Sequence, residues 1–289
     1  MRKFTLANQA GERQPLNGEN RIWLVNPTGL GMNFDTAYSN IEEGFFGLTK
    51  KKEQQATVVA DLVFVKTAYE NYRNLVDWLM KAERLYLIYQ PVGNSQFWRE
   101  VELNYLTKTE ISDGKWLRTP ISISGKTPWY LPTPAKVTMT KQLSDAMRYP
   151  FTYNDQLHYG ISSVGDYAAD ILPDGHIPAG LRMKYTGAIV KPLITLTGLS
   201  GRIYGQIDIG INFTSTERLE ISSVPNDTYI RKVTQDGTKT DLIMSGDVDL
   251  TQDPFPRAPI SEQSTLRIMS EESFTGTAEM EILYFFRSI

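Results

Sequence analysis

The chain lacks cysteine entirely and has only two histidines, His158 and His176, in 289 residues. Without thiols there can be no disulfide, thiolate metal site or thiol nucleophile. Neither histidine has a partner at helical or CxxC-like spacing, and a catalytic zinc takes about three protein ligands. Long apolar runs are also missing. The greasiest segment, Ala56 to Val65, carries Asp61 and is far shorter than the ~20 residues of a membrane helix. Met1 to Leu6 begins with positive charge but is followed by polar Asn8 and Gln9, so no signal peptide is expected. A strong charge of one sign is absent too: the formal net charge of −3 makes no field that would hold nucleic acid or an anionic membrane. These absences predict a soluble chain made in a cytoplasm, with no cofactor and no metal.

What remains is globular. Hydrophobic residues at 41% and charged residues at 22% leave no ground for a disordered or fibrous reading, and the length suits two cores. The first half reads as strands around one helix. Phe4-Thr5-Leu6 and Ile22-Trp23-Leu24-Val25 are strand candidates, the second closed by an ordered loop over Asn26-Pro27-Thr28-Gly29-Leu30-Gly31. Thr57 to Val65, rich in Val, Leu and Phe, predicts a strand buried on both faces.

Thr67 and Glu70 form a capping-box pattern that opens a helix. Tyr69, Tyr72, Leu75, Val76, Leu79 and Met80 recur at three- and four-residue spacing and are expected on its inner face. A helix this short is marginal alone, so that face must lie on a sheet. Leu85 to Tyr89 and Phe97 to Leu106 follow as strands, the latter with Val101, Leu103 and Tyr105 on the sheet-facing side. Ser112-Asp113-Gly114 predicts a hairpin turn into Trp116 to Ser124, with Leu117, Ile121 and Ile123 inward.

Two prolines in Leu131-Pro132-Thr133-Pro134 mark a stiff connector. The expected division is a first domain over 1–130, a linker over 131–135 and a second domain over 136–289. Beyond Ala135 no long helical period is found; Gln142 to Tyr149 reads as a short turn at most. Gln206 to Phe213 alternates, with Ile207, Ile209, Ile211 and Phe213 inward. Asp236-Gly237 predicts a turn between Tyr229–Val233 and Leu242–Met244. The last strand places Ala278, Met280, Ile282, Tyr284 and Phe286 on one side, with Leu283 and Phe285 covering the other near its end. Many short strands with Gly, Asp and Pro turns predict a β-sandwich or jelly roll.

No chemical constellation rises above this pattern. A triad from His158 or His176 with Asp155 or Asp166 lacks any nucleophile elbow. The acid pairs Glu42-Glu43, Glu100/Glu102, Glu271-Glu272 and Glu279/Glu281 could serve a glycosidase. Each also looks like the polar side of a strand. Gly125-Lys126-Thr127 matches only the end of a phosphate loop, and Lys50-Lys51-Lys52 lacks interleaved aromatics and reads as a solvated loop. Trp129 and Tyr130 could stack on a sugar ring, but aromatics beside a proline linker more often anchor it. No catalytic, cofactor-binding or metal-binding residue is expected, and the two aromatics remain the one candidate glycan contact.

In order, an N-terminal strand, Asn26-Pro27-Thr28-Gly29-Leu30-Gly31, Ile41-Glu42-Glu43-Gly44-Phe45-Phe46, a Val/Phe-rich strand, the helix Tyr69 to Leu79 and the strand Leu85 to Tyr89 after it span residues 1–130. That succession resembles the ring-forming domain of siphophage distal tail proteins. Leu219-Glu220-Ile221-Ser222-Ser223, Asp253-Pro254-Phe255-Pro256-Arg257 and Leu266-Arg267-Ile268 look, more loosely, like the closing strands of the family's galectin-like or carbohydrate-module-like sandwich. The resemblance implies a mainly β protein: an antiparallel domain with one packed helix, then a galectin-like sandwich. It further implies a virion component assembled in the host cytoplasm, a homohexameric ring at the tail tip with a channel through which DNA passes unbound. Such a ring docks on the tail-tube protein and the tip hub, and carries receptor-binding or other baseplate proteins. The alternative from the residues alone is a carbohydrate-binding module in the second half; a glycan hydrolase using a Glu pair is the third reading.

Overall fold

The computed structural model describes residues 2–91, 93, 95–111, 116–142, 166–249, 254–272 and 274–289. The turn expected at Ser112-Asp113-Gly114, the turn expected after Gln142, and Asp155, His158 and Asp253 lie outside them. Two units are present, Met1–Pro132 with Phe285–Ile289, and Thr133–Tyr284. The last five residues thus fall with the first unit, whereas the sequence reading assigns everything after 136 to the second.

The first unit contains β1 (Lys3–Asn8), β2 (Arg13–Pro15), β3 (Ile22–Thr28), β4 (Phe34–Glu42), β5 (Phe45–Glu53), β6 (Thr57–Val65), α1 (Ala68–Met80), β7 (Leu85–Gln90), β8 (Phe97–Leu106), β9 (Trp116–Gly125) and β10 (Trp129–Tyr130). An antiparallel sheet runs β2-β1-β7-β8-β9-β6-β3, with β10 joined to β8 at Tyr130 and Trp98. Its core gathers Leu6, Leu62, Phe64, Leu75, Leu87, Leu117, Ile121, Ile123 and Trp129.

The helix seals this core through Ala68, Leu75 and Leu79, with Tyr72 and Trp78 half-buried against it. Tyr69 and Met80, expected inward, are exposed. At ~100° per residue they sit about 120° and 140° round from Leu75, beyond the edge of a stripe centred on Leu75, Ala68 and Leu79. The capping box does not form either. Lys66 and Thr67 both have positive φ, at 57° and 40°, and Thr67 makes no side-chain cap hydrogen bond. A capping side chain needs an extended backbone to reach back to the first amides. Asn71 instead donates from Nδ2 to the Lys66 carbonyl at 3.0 Å.

Three strands differ from their sequence reading. In β6, Val58, Ala60, Leu62 and Phe64 are buried but Val59 is 41% exposed, so only one face is covered. In β8 the register shifts between Leu103 and Tyr105 where it pairs with β9, and Tyr105 turns outward. One inserted residue reverses the faces of all that follow it. Asn26 and Pro27, read as loop, are an irregularity within β3, where pairing to β6 skips from Val25 to Thr28. Gly29 beyond it has φ 81° and lies so close to Thr57 that a Cβ would stand 1.9 Å from the carbonyl oxygen; no other residue fits there.

The second unit contains β11 (Ala135–Thr138), β12 (Thr140–Gln142), β13 (Asp166–Ile171), β14 (Ile177–Ala188), β15 (Leu193–Gly198), β16 (Ile203–Ile209), β17 (Arg218–Val224), β18 (Asp227–Val233), β19 (Lys239–Asp241), β20 (Val248–Asp249), β21 (Ser264–Met269) and β22 (Thr275–Phe286), whose last two residues belong to the first unit. One sheet runs β19-β18-β17-β14-β22, with β11 on β22; the other runs β12-β13-β21-β15-β16-β20. Met183, Tyr185, Leu219, Ile221, Met280 and Ile282 from the first meet Ile171, Ile194, Leu196, Ile207, Leu266 and Ile268 from the second in one core. That arrangement is a β-sandwich. Ile207, Ile209 and Phe213 are buried as their alternation predicts, with Ile211 partly so. The return strand after Asp236-Gly237 comes earlier than expected, at Lys239–Asp241. Thr234 and Thr238 close the turn (Thr234 N to Thr238 O, 3.0 Å), so pairing begins at Val233 and Lys239. Leu242–Met244 is consequently a turn, with Met244 84% exposed.

Candidate functional site

Among the described residues, those singled out for chemistry do not converge. Trp129 is fully buried in the first unit, where β10 pairs with the Phe285–Phe286 end of β22 and its ring lies under the Arg99 guanidinium at 5.5 Å. A ring in that position presents no face to a sugar, and it anchors the chain end of the unit instead. Tyr130 beside it is half-buried, and burial pushes its hydroxyl up to about 12.

The glycine of Gly125-Lys126-Thr127 has a packing role. A Cβ at Gly125 would stand 2.2 Å from Arg99 Nε, which donates to the Thr127 carbonyl at 2.6 Å. Lys126 pairs with Glu100 at 3.1 Å and approaches Glu102 at 3.7 Å, which takes that acid pair into a surface ion cluster. Glu281 lies 3.6 Å from Lys136, and Glu271 3.1 Å from Lys191. His176 is exposed in the loop before β14, and Asp166 accepts from Arg267 at 3.2 Å. Among the described residues no group of three His, Asp or Glu could hold a metal ion, and no helix is long and apolar enough to cross a membrane.

Each unit has a polar hollow. That of the first, about 400 Å³, is lined by Gln14, Glu19, Asn20, Arg21, Asn71 and Asn74. That of the second, about 300 Å³, lies on the β18-β17-β14-β22 sheet among Arg182, Lys184, Glu220, Tyr229, Glu279 and Glu281. The one aromatic ring there is covered by the Arg231 guanidinium, 3.9 Å from the ring centre.

What the first unit does present is apolar surface. The hairpin β4–β5 is a separate two-stranded sheet, turned at Glu43-Gly44 and exposed from Thr36 to Phe46. Lys50-Lys51-Lys52 belongs to its second strand and is not a loop: Lys50 pairs with Asp35 at 2.5 Å, and Lys51 lies over the Phe34 ring. The outer face of β3-β6-β9 adds Trp23, Val59 and Trp116, all exposed, with Arg118 paired to Asp61 at 2.6 Å. Sequence reasoning missed the hairpin as a surface. Its signal was available in the crowding of Tyr38, Ile41, Phe45, Phe46 and Leu48 around a Glu-Glu-Gly turn.

Comparison with known proteins gives a domain match and a fold. Residues 3–126 match the family model described as the distal tail protein, N-terminal domain. No curated protein matches the chain by sequence. Among solved structures, a chain of the phage p2 baseplate in its activated conformation with Sr superposes with a TM-score of 0.61, covering 100% of both chains at 13% identity. The SPP1 Dit protein, a hub adsorption apparatus protein of phages that infect Gram-positive bacteria, gives 0.62 over 97% of this chain and 98% of its own, at 10% identity. Identities this low establish the fold. Residues 3–126 thus match a distal tail protein N-terminal domain, and the chain shares the mainly β fold of that phage baseplate chain and of SPP1 Dit over nearly its whole length.

Proposed function

We propose that this protein is a non-catalytic building block of the virion, six copies of which form a ring around a central channel at the distal end of a long phage tail. The observation that carries the reading is the distal tail N-terminal domain over residues 3–126, set in a chain with the full-length fold of such proteins. In this reading the first unit is the belt. It docks on the tail-tube protein on one side and on the tip hub on the other. The second unit, a galectin-like sandwich, faces outward and holds receptor-binding or other baseplate proteins. Assembly takes place in the host cytoplasm, and DNA crosses the channel without being bound.

The physical chemistry is consistent with this. Rings need heterologous contacts that close, and such contacts need apolar surface that a monomer would otherwise leave in water. The first unit has that surface on its hairpin and on its outer sheet face. Negative-stain electron microscopy of the purified chain, alone and with tail-tube protein added, is expected to show sixfold rings with an open centre. A chain that stays monomeric at every concentration, with tube protein present, would overturn the proposal.

A further inference from the structure

The hairpin β4–β5 stands apart within the first unit because none of the described residues of that unit covers its apolar tip. Ile41, Phe45 and Phe46 are each 68% exposed, Tyr38 61% and Leu48 53%. Single exposed apolar side chains are ordinary, but five within eleven residues form a patch, and patches of that kind mark contact surfaces. A two-stranded ribbon is also marginal in water without something to pack on. The hairpin is ordered by charge at its base, through Lys50–Asp35 and Lys51 over Phe34, and carries Glu42 and Glu43 at its tip.

We infer that this hairpin is the arm by which one copy of the chain grips the next, its apolar tip lying on the exposed outer face of β3-β6-β9 of a second copy. The inference rests on the ring reading above and assigns its contact. Three observations select a second copy as the occupant. A closing ring requires two different patches on the same chain, and the tip and the sheet face are such a pair. Cross-strand register puts Trp23, Val63 and Arg118 in one row of that face and Val59 on the same side four residues along, with Asp61 between them, so apolar groups flank the Arg118–Asp61 pair. Arg118 uses one guanidinium nitrogen on Asp61 and remains 61% exposed, so it can also receive Glu42 or Glu43. Finally, nine-residue strands at ~3.3 Å per residue reach about 30 Å, enough to leave one subunit and lie on another.

The test uses the full chain and two variants, each altered at exposed positions: Phe45→Ser with Phe46→Ser on the tip, and Val59→Glu on the face. Thermal melting checks that both still fold. Mass photometry and electron microscopy are expected to show each variant alone as monomer where the parent forms rings, with the contact weakened roughly thirtyfold or more. A one-to-one mixture of the two should give dimers and no rings, because one intact tip meets one intact face and propagation stops there. Rings that persist in the tip variant would overturn the arm assignment while leaving the ring itself standing. Variants that form rings normally but no longer bind tube protein would give the arm to that partner and overturn the assignment equally. A parent chain that never forms rings removes both readings together.

Discussion

Glu217 shows how a single side chain ties sheet chemistry to solution conditions. It accepts from Lys232 Nζ at 2.7 Å and from the Thr214 amide at 2.8 Å. The Lys232 hydrogen bond first, and the Thr214 amide second, hold its carboxyl below the ordinary value near 4.5. A depressed folded-state value means the unfolded chain binds the proton more readily. The stabilisation is therefore complete above the ordinary carboxylate range and is lost as pH falls through the folded-state value. Asp236, held by Thr234 and the Thr238 amide, and Glu262, held by Tyr204 and Ser200, are shifted the same way. Melting temperature is expected to be flat above about pH 5 and to fall below pH 4.5. The Glu217→Gln chain should show a shallower fall in the transition of the sandwich, and an unchanged acid limb would remove Glu217 from this account. Little of this was legible in the sequence, since Glu217 and Lys232 are fifteen residues apart and only the β17–β18 pairing puts them together.

At the scale of elements, helix and strand types could be read, but their exact faces could not. The period of α1 was visible, yet the stripe it buries is set by which residues the sheet admits. Leu75 is 1% exposed and Met80 74%, although both fit a three-to-four spacing. Leu75→Ala is expected to cost about 2–5 kcal/mol, from lost transfer energy plus the cavity left. Met80→Ser should change stability by no more than about 0.5 kcal/mol. Urea unfolding of the two variants separates these outcomes, and equal losses would mean the helix is seated differently. Tyr105 illustrates the same limit in a strand. Alternation puts it beside Val101 and Leu103, and the register shift against β9 reverses it. A bulge arises from pairing between distant strands, so the local pattern carries no trace of it. The capping box failed for a similar reason: Thr67 and Glu70 have the right spacing, but the left-handed backbone at Lys66 and Thr67 is imposed by the route from β6 into the helix.

For the whole molecule, the weak net charge of −3 bears on the channel we propose. A lining that bound phosphate would release counterions and hold DNA fast, and a mildly acidic one does not. Electrophoretic mobility of duplex DNA at physiological salt is therefore expected to be unchanged by the assembled protein, and a shift that disappears with added salt would contradict the passive channel. The sequence by itself determined the class of the molecule: no thiol chemistry, one amphipathic helix followed at once by a strand, and a second half of short alternating strands. These follow from composition and period, which are local properties of the chain. Only the tertiary structure decided that Trp129 lies inside the first unit, that Phe286 and Phe285 return to pair with Trp129 and Tyr130, and that Tyr38 to Phe46 is left exposed. Burial depends on what comes to lie against a residue from far along the chain. An aromatic in a core and an aromatic awaiting a partner therefore look alike until the sheets have closed.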